Sequence, residues 1–274
     1  MMSNYSPAPA FQEPTRDELL AAWTAKQLAN GDRVFVGSNL PVPRAGSLLA
    51  HLTHAPDLKI SIGMVRTSLL NVPTLEPFKF STDYRMSRWA EGIVIHNDIF
   101  DRPSHVADIF WVGGIQVDQF GNTNLIGVGD NYHRLKFRGP GSLGTVSMAH
   151  YAKRYYIYVT RHTPKVLVPR VDFISAFGHG EGGDHRHRLG LDRFNAGPAG
   201  LMSPLGIFDF NTPDHRMRLV TIHPGVSVDE VQRSTGFEVV IDGEVQTTPP
   251  VTASDLHLLR ERIDVEGLLR GESL

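Results

Sequence analysis

Three clusters of residues have the types and spacing for chemistry. The first is Gly139-Pro140-Gly141-Ser142-Leu143-Gly144, which matches G-x-G-x-x-G. That pattern marks a dinucleotide site only between a strand and a helix, with an acidic residue about 20 positions on. No Asp or Glu occurs between Asn131 and Val171, so the ribose-binding acid is missing. The plainer expectation is a glycine-rich loop whose backbone comes close to something. The second cluster is the same acid-free stretch read for charge. It holds Arg134, Lys136, Arg138, Lys153, Arg154, Arg161, Lys165 and Arg170. It is either a solvated basic face or an attractor for a phosphorylated ligand or an acidic partner chain. The third is Gly178 to Arg188, with His179, Glu181, Asp184, His185 and His187. Its spacing fits no standard zinc motif, and its glycines predict a lid or contact loop instead of a rigid ligand scaffold. No metal is expected.

Other chemistries are excluded by composition. Cysteine is absent, which removes disulfides, thiolate metal sites and a cysteine nucleophile together. No Gly-x-Ser-x-Gly nucleophile elbow occurs. His215 and His223 lie near turns, where a satisfied structural histidine is the default. Lys+Arg is 27 against 29 Asp+Glu, a net charge of −2, which argues against a nucleic-acid partner. No apolar run reaches the ~18–20 residues that span a bilayer. The expectation is no membrane association and a cytoplasmic location.

The elements that must position these residues alternate. Thr15 and Glu18 form a capping box that opens a helix, and Gly31 closes it. Arg33 to Gly37 predicts a strand, Ser38 to Pro41 a loop, Pro43 to His54 a helix and Leu58 to Ile62 a strand. Ile93 to Ile95 and Ile109 to Val112 suit strands, and Asp118 to Asn122 a turn. Further strands are predicted at Tyr155–Thr160, Val171–Ala176, Leu205–Phe210 and Met217–His223. Ser227 opens a helix to Thr235, and Val251 to Ile263 reads as a closing amphipathic helix. The pattern predicts an open α/β fold with a mostly parallel sheet flanked by helices. Residues 1–14 read as a flexible tail and 15–274 as a single domain.

Several segments together resemble the β subunit of class I (glutaconate-type) coenzyme A transferases. They are Ala25–Gly31, Val36–Pro41, His54–Leu58, Gly113–Asn124, Phe137–Gly141, Leu205–Phe208 and Thr235–Phe237. Their order and spacing hold from about residue 20 to the C-terminus. The resemblance implies a homologous α subunit in a heterodimer or α2β2 assembly, with the active site at the α–β interface. It also implies an acyl-CoA substrate, so that coenzyme A enters as part of the substrate. In these transferases a β-subunit glutamate attacks the thioester, six residues after Ala-Pro-Asp. Here Ala55-Pro56-Asp57 leads to Gly63, flanked by Ile62, Met64 and Val65; Glu76 and Glu91 do not match the motif. Relatives without the glutamate include the ring-opening acyl-CoA hydrolases of steroid breakdown and decarboxylases with cysteine at that position. This chain resembles the ring-opening group more, through Leu205–Phe210, Pro213–Arg218 and His223–Val226. In that group the working carboxylate belongs to the α subunit.

By this resemblance the candidate substrate and CoA residues are Ser38, Asn39, Gly63, Gly113, Gly114, Ile115, Gln116, Arg138, Gly139 and Gly141. Gly114 and Ile115 would offer backbone N–H groups to an oxyanion. Gln116 and Asn122 either serve the ligand or hold the loop. Arg138 either meets a phosphate or carboxylate or is a surface arginine. Two other readings stay open: a CoA transferase with its nucleophile elsewhere, and a non-catalytic structural subunit.

Overall fold

The computed structural model describes residues 13–62, 65–67 and 90–272. Gly63 and residues 1–12 of the expected tail lie outside them. In chain order the elements begin with α1 (Arg16–Ala25), β1 (Arg33–Val36), α2 (Pro41–Leu52), β2 (Lys59–Ile62), β3 (Val65–Thr67) and β4 (Gly92–Ile93). There follow α3 (His96–Asp101), α4 (Pro103–Val106), β5 (Ile109–Gly113), β6 (Gln116–Asp118), β7 (Thr123–Asn124), β8 (Gly127–Val128) and β9 (Phe137–Arg138). Next are α5 (Thr145–Tyr151), β10 (Arg154–Tyr158), β11 (Leu167–Val168), α6 (His185–Arg188), β12 (Pro198–Met202) and β13 (Gly206–Asp209). Then come β14 (Arg218–Ile222), α7 (Val228–Ser234), β15 (Gln246–Thr247) and α8 (Ala253–Leu258), followed by a π turn (Leu259–Ile263) and a 3-10 turn (Leu268–Arg270).

One ten-stranded sheet runs in the order β15-β14-β13-β12-β10-β5-β1-β2-β3-β4. Its centre, β2-β1-β5-β10-β12, is parallel throughout. Antiparallel strands extend it on both sides, β3 and β4 beyond β2 and β13 and β14 beyond β12. The expected mostly parallel α/β fold is the fold observed. Successive strand residues alternate between faces. Val34, Val36, Ile60, Ile109, Trp111 and Tyr156 pack under α1, α2 and α8. Phe35, Phe110, Val112, Tyr155 and Ile157 pack on the other face under α4, α5 and α7. Trp111 stacks on Tyr156 at 4.6 Å, and Trp23 meets both rings edge-on. Among the described residues no helix is long and apolar enough to cross a membrane.

Local signals place most boundaries. Thr15 Oγ1 accepts from Glu18 N and the Glu18 carboxylate accepts from Thr15 N, the expected capping box. Glu18 is buried and takes two hydrogen bonds from Arg260, at 2.7 and 2.9 Å, which ties α1 to the C-terminal segment. The α2 helix starts two residues before the expected Pro43, because Pro41 occupies the first helical position, where no N–H is needed. The closing helix is not continuous: α8 gives way to a π turn over Leu259–Ile263, held by Asp264 N–H donating to Leu259 C=O. Leu256, Leu259 and Ile263 are nonetheless buried as expected. Val171–Ala176 is not a strand. Asp172 accepts from Gly129 N–H and the Gln116 amide, and Ser175 Oγ from Leu125 N–H. These side chains compete with a ladder, leaving a single bridge between Thr123 and Ala176.

At the amino edge, Asp108 accepts from Arg33 N, Nε and Nη2 and pairs with Lys153 Nζ at 3.0 Å. This joins the starts of β1, β5 and β10. It also assigns Lys153, and Arg154 through its pairing with Asp32, to structural work. The glycine-rich loop does come close to another backbone. A Cβ on Gly139 would lie 2.2 Å from the Leu125 carbonyl oxygen. Gly139 N–H donates to Ile126 C=O and Gly141 N–H to Leu125 C=O.

Both contacts can be tested by denaturation. Arg33, and then Lys153, hold the Asp108 carboxyl far below the usual carboxylate range. Its stabilisation is complete above the unfolded value of about 3.9 and is lost progressively as pH falls below it. Asp108→Asn is therefore less stable than the natural chain at pH 6, and the gap in urea midpoints narrows as the pH is lowered towards 2. Gly139→Ala costs on the order of 1–3 kcal/mol by overpacking. Gly92→Ala, whose Cβ meets nothing within 4 Å, leaves the urea midpoint unchanged.

Candidate functional site at the carboxyl edge of the sheet

The register of the parallel strands defines one edge. Val36 pairs with Ile62 and with Trp111, and Tyr158 pairs with Gly113 and not one residue earlier or later. The chain therefore leaves β1, β2, β5 and β10 side by side. Gly37 N–H closes the layer by donating to Trp111 C=O at 3.0 Å. Ser38 and Asn39 are exposed at this exit, with Asn39 at φ 61° in the turn before α2. Gly113 ends β5, and Gly114 and Ile115 follow it. In sequence Gly63 comes directly after Ile62. A crevice outside the carboxyl ends of parallel strands is where open α/β sheets take ligands. The structure thus brings Ser38, Asn39, Gly113 and Gly114 to one edge.

The two expected oxyanion donors fare differently. Ile115 N–H donates to Asn124 C=O at 2.9 Å and is already engaged. Gly114 N–H makes no hydrogen bond outside the strand ladders among the described residues. A Cβ at Gly114 would approach Thr123 Cγ2 at 2.8 Å and Val117 Cγ2 at 2.9 Å, so only glycine fits this turn without rearrangement. Gln116 is buried and hydrogen-bonded within the chain. Its Oε1 accepts from Asn124 Nδ2 and Asp172 N–H, and its Nε2 donates to Asp172. The amide N–H groups of Gly139 and Gly141 are likewise engaged, on Ile126 and Leu125. Gly139 does lie beside the turn, since its Cβ position is 3.1 Å from Ile115 Cδ1. Arg138 is exposed, sits over the Tyr132 ring at 4.9 Å and donates to its hydroxyl.

Asn122 holds the fold. It donates to the Asp118 carboxylate and Gly180 C=O, and accepts from Gly178 and Gly180 N–H. Burial pushes the Asp118 carboxyl up to about 6, against the pull of Asn122 and the Phe120 and Asn122 N–H groups. Sequence reasoning does not single out this buried acid; its one signal is a place at the head of an Asp-x-x-x-Asn turn. The histidine-rich segment packs around one buried side chain. Arg186 is buried within it and donates to Phe177, Gly178 and Asn195 carbonyls. His179 is buried and stacked on His215 at 4.3 Å. Burial, then the charges of His215 and Arg186, lowers His179 to about 3. His223 is the structural histidine expected, with Nδ1 2.9 Å from Thr248 Oγ1 and Nε2 2.9 Å from Ser203 O. Among the described residues no three His, Asp or Glu are grouped to hold a metal.

Known proteins resemble this chain in sequence and fold. The family model for coenzyme A transferases matches residues 89–234. The B-type subunit of the 3-oxoadipate CoA-transferase of Pseudomonas knackmussii is 32% identical over 248 residues, covering 89% of this chain and 91% of that one. The IpdB subunit of the cholesterol ring-cleaving hydrolase of Mycobacterium tuberculosis is 32% identical over 258 residues, 93% of this chain and 96% of that one. The crystal structure of Rhodococcus jostii IpdAB superposes with a TM-score of 0.78 at 27% identity, over 96% of this chain and 100% of that one. The family match spans more than half of the chain and the relatives align along nearly all of it, so the chain belongs to the coenzyme A transferase family.

Proposed function

We propose that this chain is the β-type subunit of a cytoplasmic acyl-CoA-processing enzyme that hydrolyses or cleaves a C–C bond of a cyclic or branched acyl-CoA. A homologous α subunit completes the site. The observation that carries the reading is Ile62-Gly63-Met64-Val65, in sequence directly after the exit of β2 and without a carboxylate. If Gly63 occupies the nucleophile position of the family, no acyl anhydride can form there. The similarity to a ring-cleaving hydrolase subunit supports the same reading.

The chemistry then has a defined balance. A partner carboxylate takes a proton from water, and the oxygen attacks a ring carbonyl carbon. The tetrahedral oxyanion collapses and the adjacent C–C bond breaks. Its electron pair becomes an enolate stabilised by the neighbouring carbonyl, and the proton returns to carbon. The net change is addition of one water, giving a carboxylate while the thioester is retained. Gly114 N–H is the donor this chain offers to developing negative charge. Ser38 and Asn39 border the same edge and face the acyl group.

The second reading, CoA transfer between carboxylic acids, is favoured by an equal identity to the B-type subunit of a CoA-transferase. A non-catalytic structural role is the third. One experiment separates them. The complex with its α-type partner is incubated with a panel of acyl-CoAs in labelled water and then treated with hydroxylamine. Hydrolytic cleavage places one water oxygen in the product carboxylate and leaves no CoA adduct on this chain. A glutamyl-CoA adduct on it overturns the proposal in favour of transfer, and no turnover of any acyl-CoA favours the structural role. Gly114→Ala, which crowds the donor turn, is expected to lower kcat by about 10²-fold, with CoA affinity little changed.

A further inference from the structure

Among the described residues three that are not glycine have positive φ: Asn39 at 61°, His215 at 59° and Leu143 at 42°. Two have a local reason. Asparagine tolerates the left-handed region. His215 stacks on His179, with its Nδ1 3.3 Å from Phe210 O. Leu143 has neither. It sits in a turn closed by Thr145 N–H donating to Ser142 C=O at 2.8 Å. Gly144, the second central residue of that turn, has φ −78° and ψ 5°. This is the type II′ pattern, in which glycine takes the first central place. Here the glycine stands second, where a Cβ would lie 2.2 Å from Ile99 Cγ2. A leucine is left in the strained place, and it is 72% exposed. The cost of holding a bulky residue at positive φ is therefore not offset by burial of its side chain within the chain.

The strand order fixes where this leucine stands. β10 is parallel to β5 and begins beside its start, Arg154 against Ile109. The helix α5, which leads into β10, must run from the carboxyl edge of the sheet back to the amino edge. Leu143 immediately precedes the first turn of α5, so it lies at the carboxyl edge, with Ser38, Asn39, Gly113 and Gly114. Its loop is fastened there. Gly141 N–H donates to Leu125 C=O at 2.9 Å, and Ser142 Oγ donates to Ser175 Oγ at 3.0 Å. Ser175 N–H bonds Thr123 C=O, and Thr123 Cγ2 is the group that crowds Gly114. A held backbone keeps the strained residue in place. Val146, three residues on along α5, is 57% exposed and extends the apolar surface. Strain that the fold maintains at a ligand-binding edge, on a side chain that the fold leaves bare, points to a contact outside the chain.

We propose that Leu143 is a specificity-determining residue, which offers an apolar contact to the acyl group and favours bulky hydrocarbon acyl groups over short ones. The assignment rests on the acyl-CoA reading above and adds the chemical class of the acyl end. The test is calorimetric titration of the α–β complex with cyclohexanecarbonyl-CoA and acetyl-CoA, with urea denaturation alongside. The natural complex binds the cyclic thioester more tightly. Leu143→Ala weakens the cyclic thioester by about tenfold and leaves acetyl-CoA affinity and the urea midpoint unchanged. Leu143→Met, apolar and of similar volume, retains the preference. Leu143→Gly has a urea midpoint at or above that of Leu143→Ala, because glycine adopts positive φ without strain. A natural complex without the preference, a Leu143→Ala variant that keeps it or loses both thioesters alike, a fall in its urea midpoint, or its release of the α subunit each overturns the assignment. A natural complex that binds neither thioester overturns the acyl-CoA reading, and the role of Leu143 falls with it.

Discussion

Val36 pairs on one side with Ile62 and on the other with Trp111, and that shared register governs everything built at the carboxyl edge. A slip of one residue in either pairing would turn Val34 and Val36 away from α1 and α2 and would stagger the strand exits. The burial of β1 on both faces forbids that slip, because Phe35 is needed on the opposite side. Core packing therefore fixes the relative heights of Ser38, Gly113 and Ile62. The amino edge is tied independently by Asp108, which reaches the first residues of β1 and the residue before β10.

Above that edge the order comes from side-chain amides. Gln116 and Asn124 bond to each other at 2.7 Å, and Asn124 also bonds Gly127 O and the N–H groups of Ile126 and Gly127. Asn122 and Asp118 repeat the device one turn further on. Buried networks of this kind are costly when one member is lost, since each remaining partner is left unsatisfied. They account for the Gly-x-Gln-Val-Asp-x-x-Gly-Asn run as a folding requirement of the loop. They also act by subtraction. With Ile115, Gly139 and Gly141 N–H groups engaged, Gly114 is left as the donor at this turn.

Features that depend on neighbours in sequence were legible. The Thr15–Glu18 capping box, the Asp118–Asn122 turn and the alternation of strand and helix all appear as expected. The glycine-rich loop was legible as a close backbone approach, but Leu125 as its neighbour was not, because no local pattern names a residue fourteen positions back. Val171–Ala176 has strand composition and fails as a strand because Gln116, Leu125 and Gly129 claim its side chains from a distance. Ile115 looked as good a donor as Gly114, and only the tertiary position of Asn124 separates them. The His-rich segment makes the contacts of one of its two expected forms, a contact loop. Its glycines supply turns at positive φ around a buried Arg186, so abundance of glycine there reflects tight packing.

A glycine at the position of an attacking carboxylate changes more than the nucleophile. On the proposed reading it removes a charge that would have to be desolvated when an acyl group enters, and it leaves volume at the thioester end. A donor such as Gly114 N–H stabilises negative oxygen whether the attacking atom comes from a side chain or from water. On that reading the oxyanion device can be retained while the nucleophile is lost, provided that a partner subunit supplies the base. Two relatives named for different activities, each 32% identical to this chain, are what such separable parts would produce. Identity averaged over the scaffold does not discriminate between them, and the proposed reading puts the discriminating position at the exit of β2.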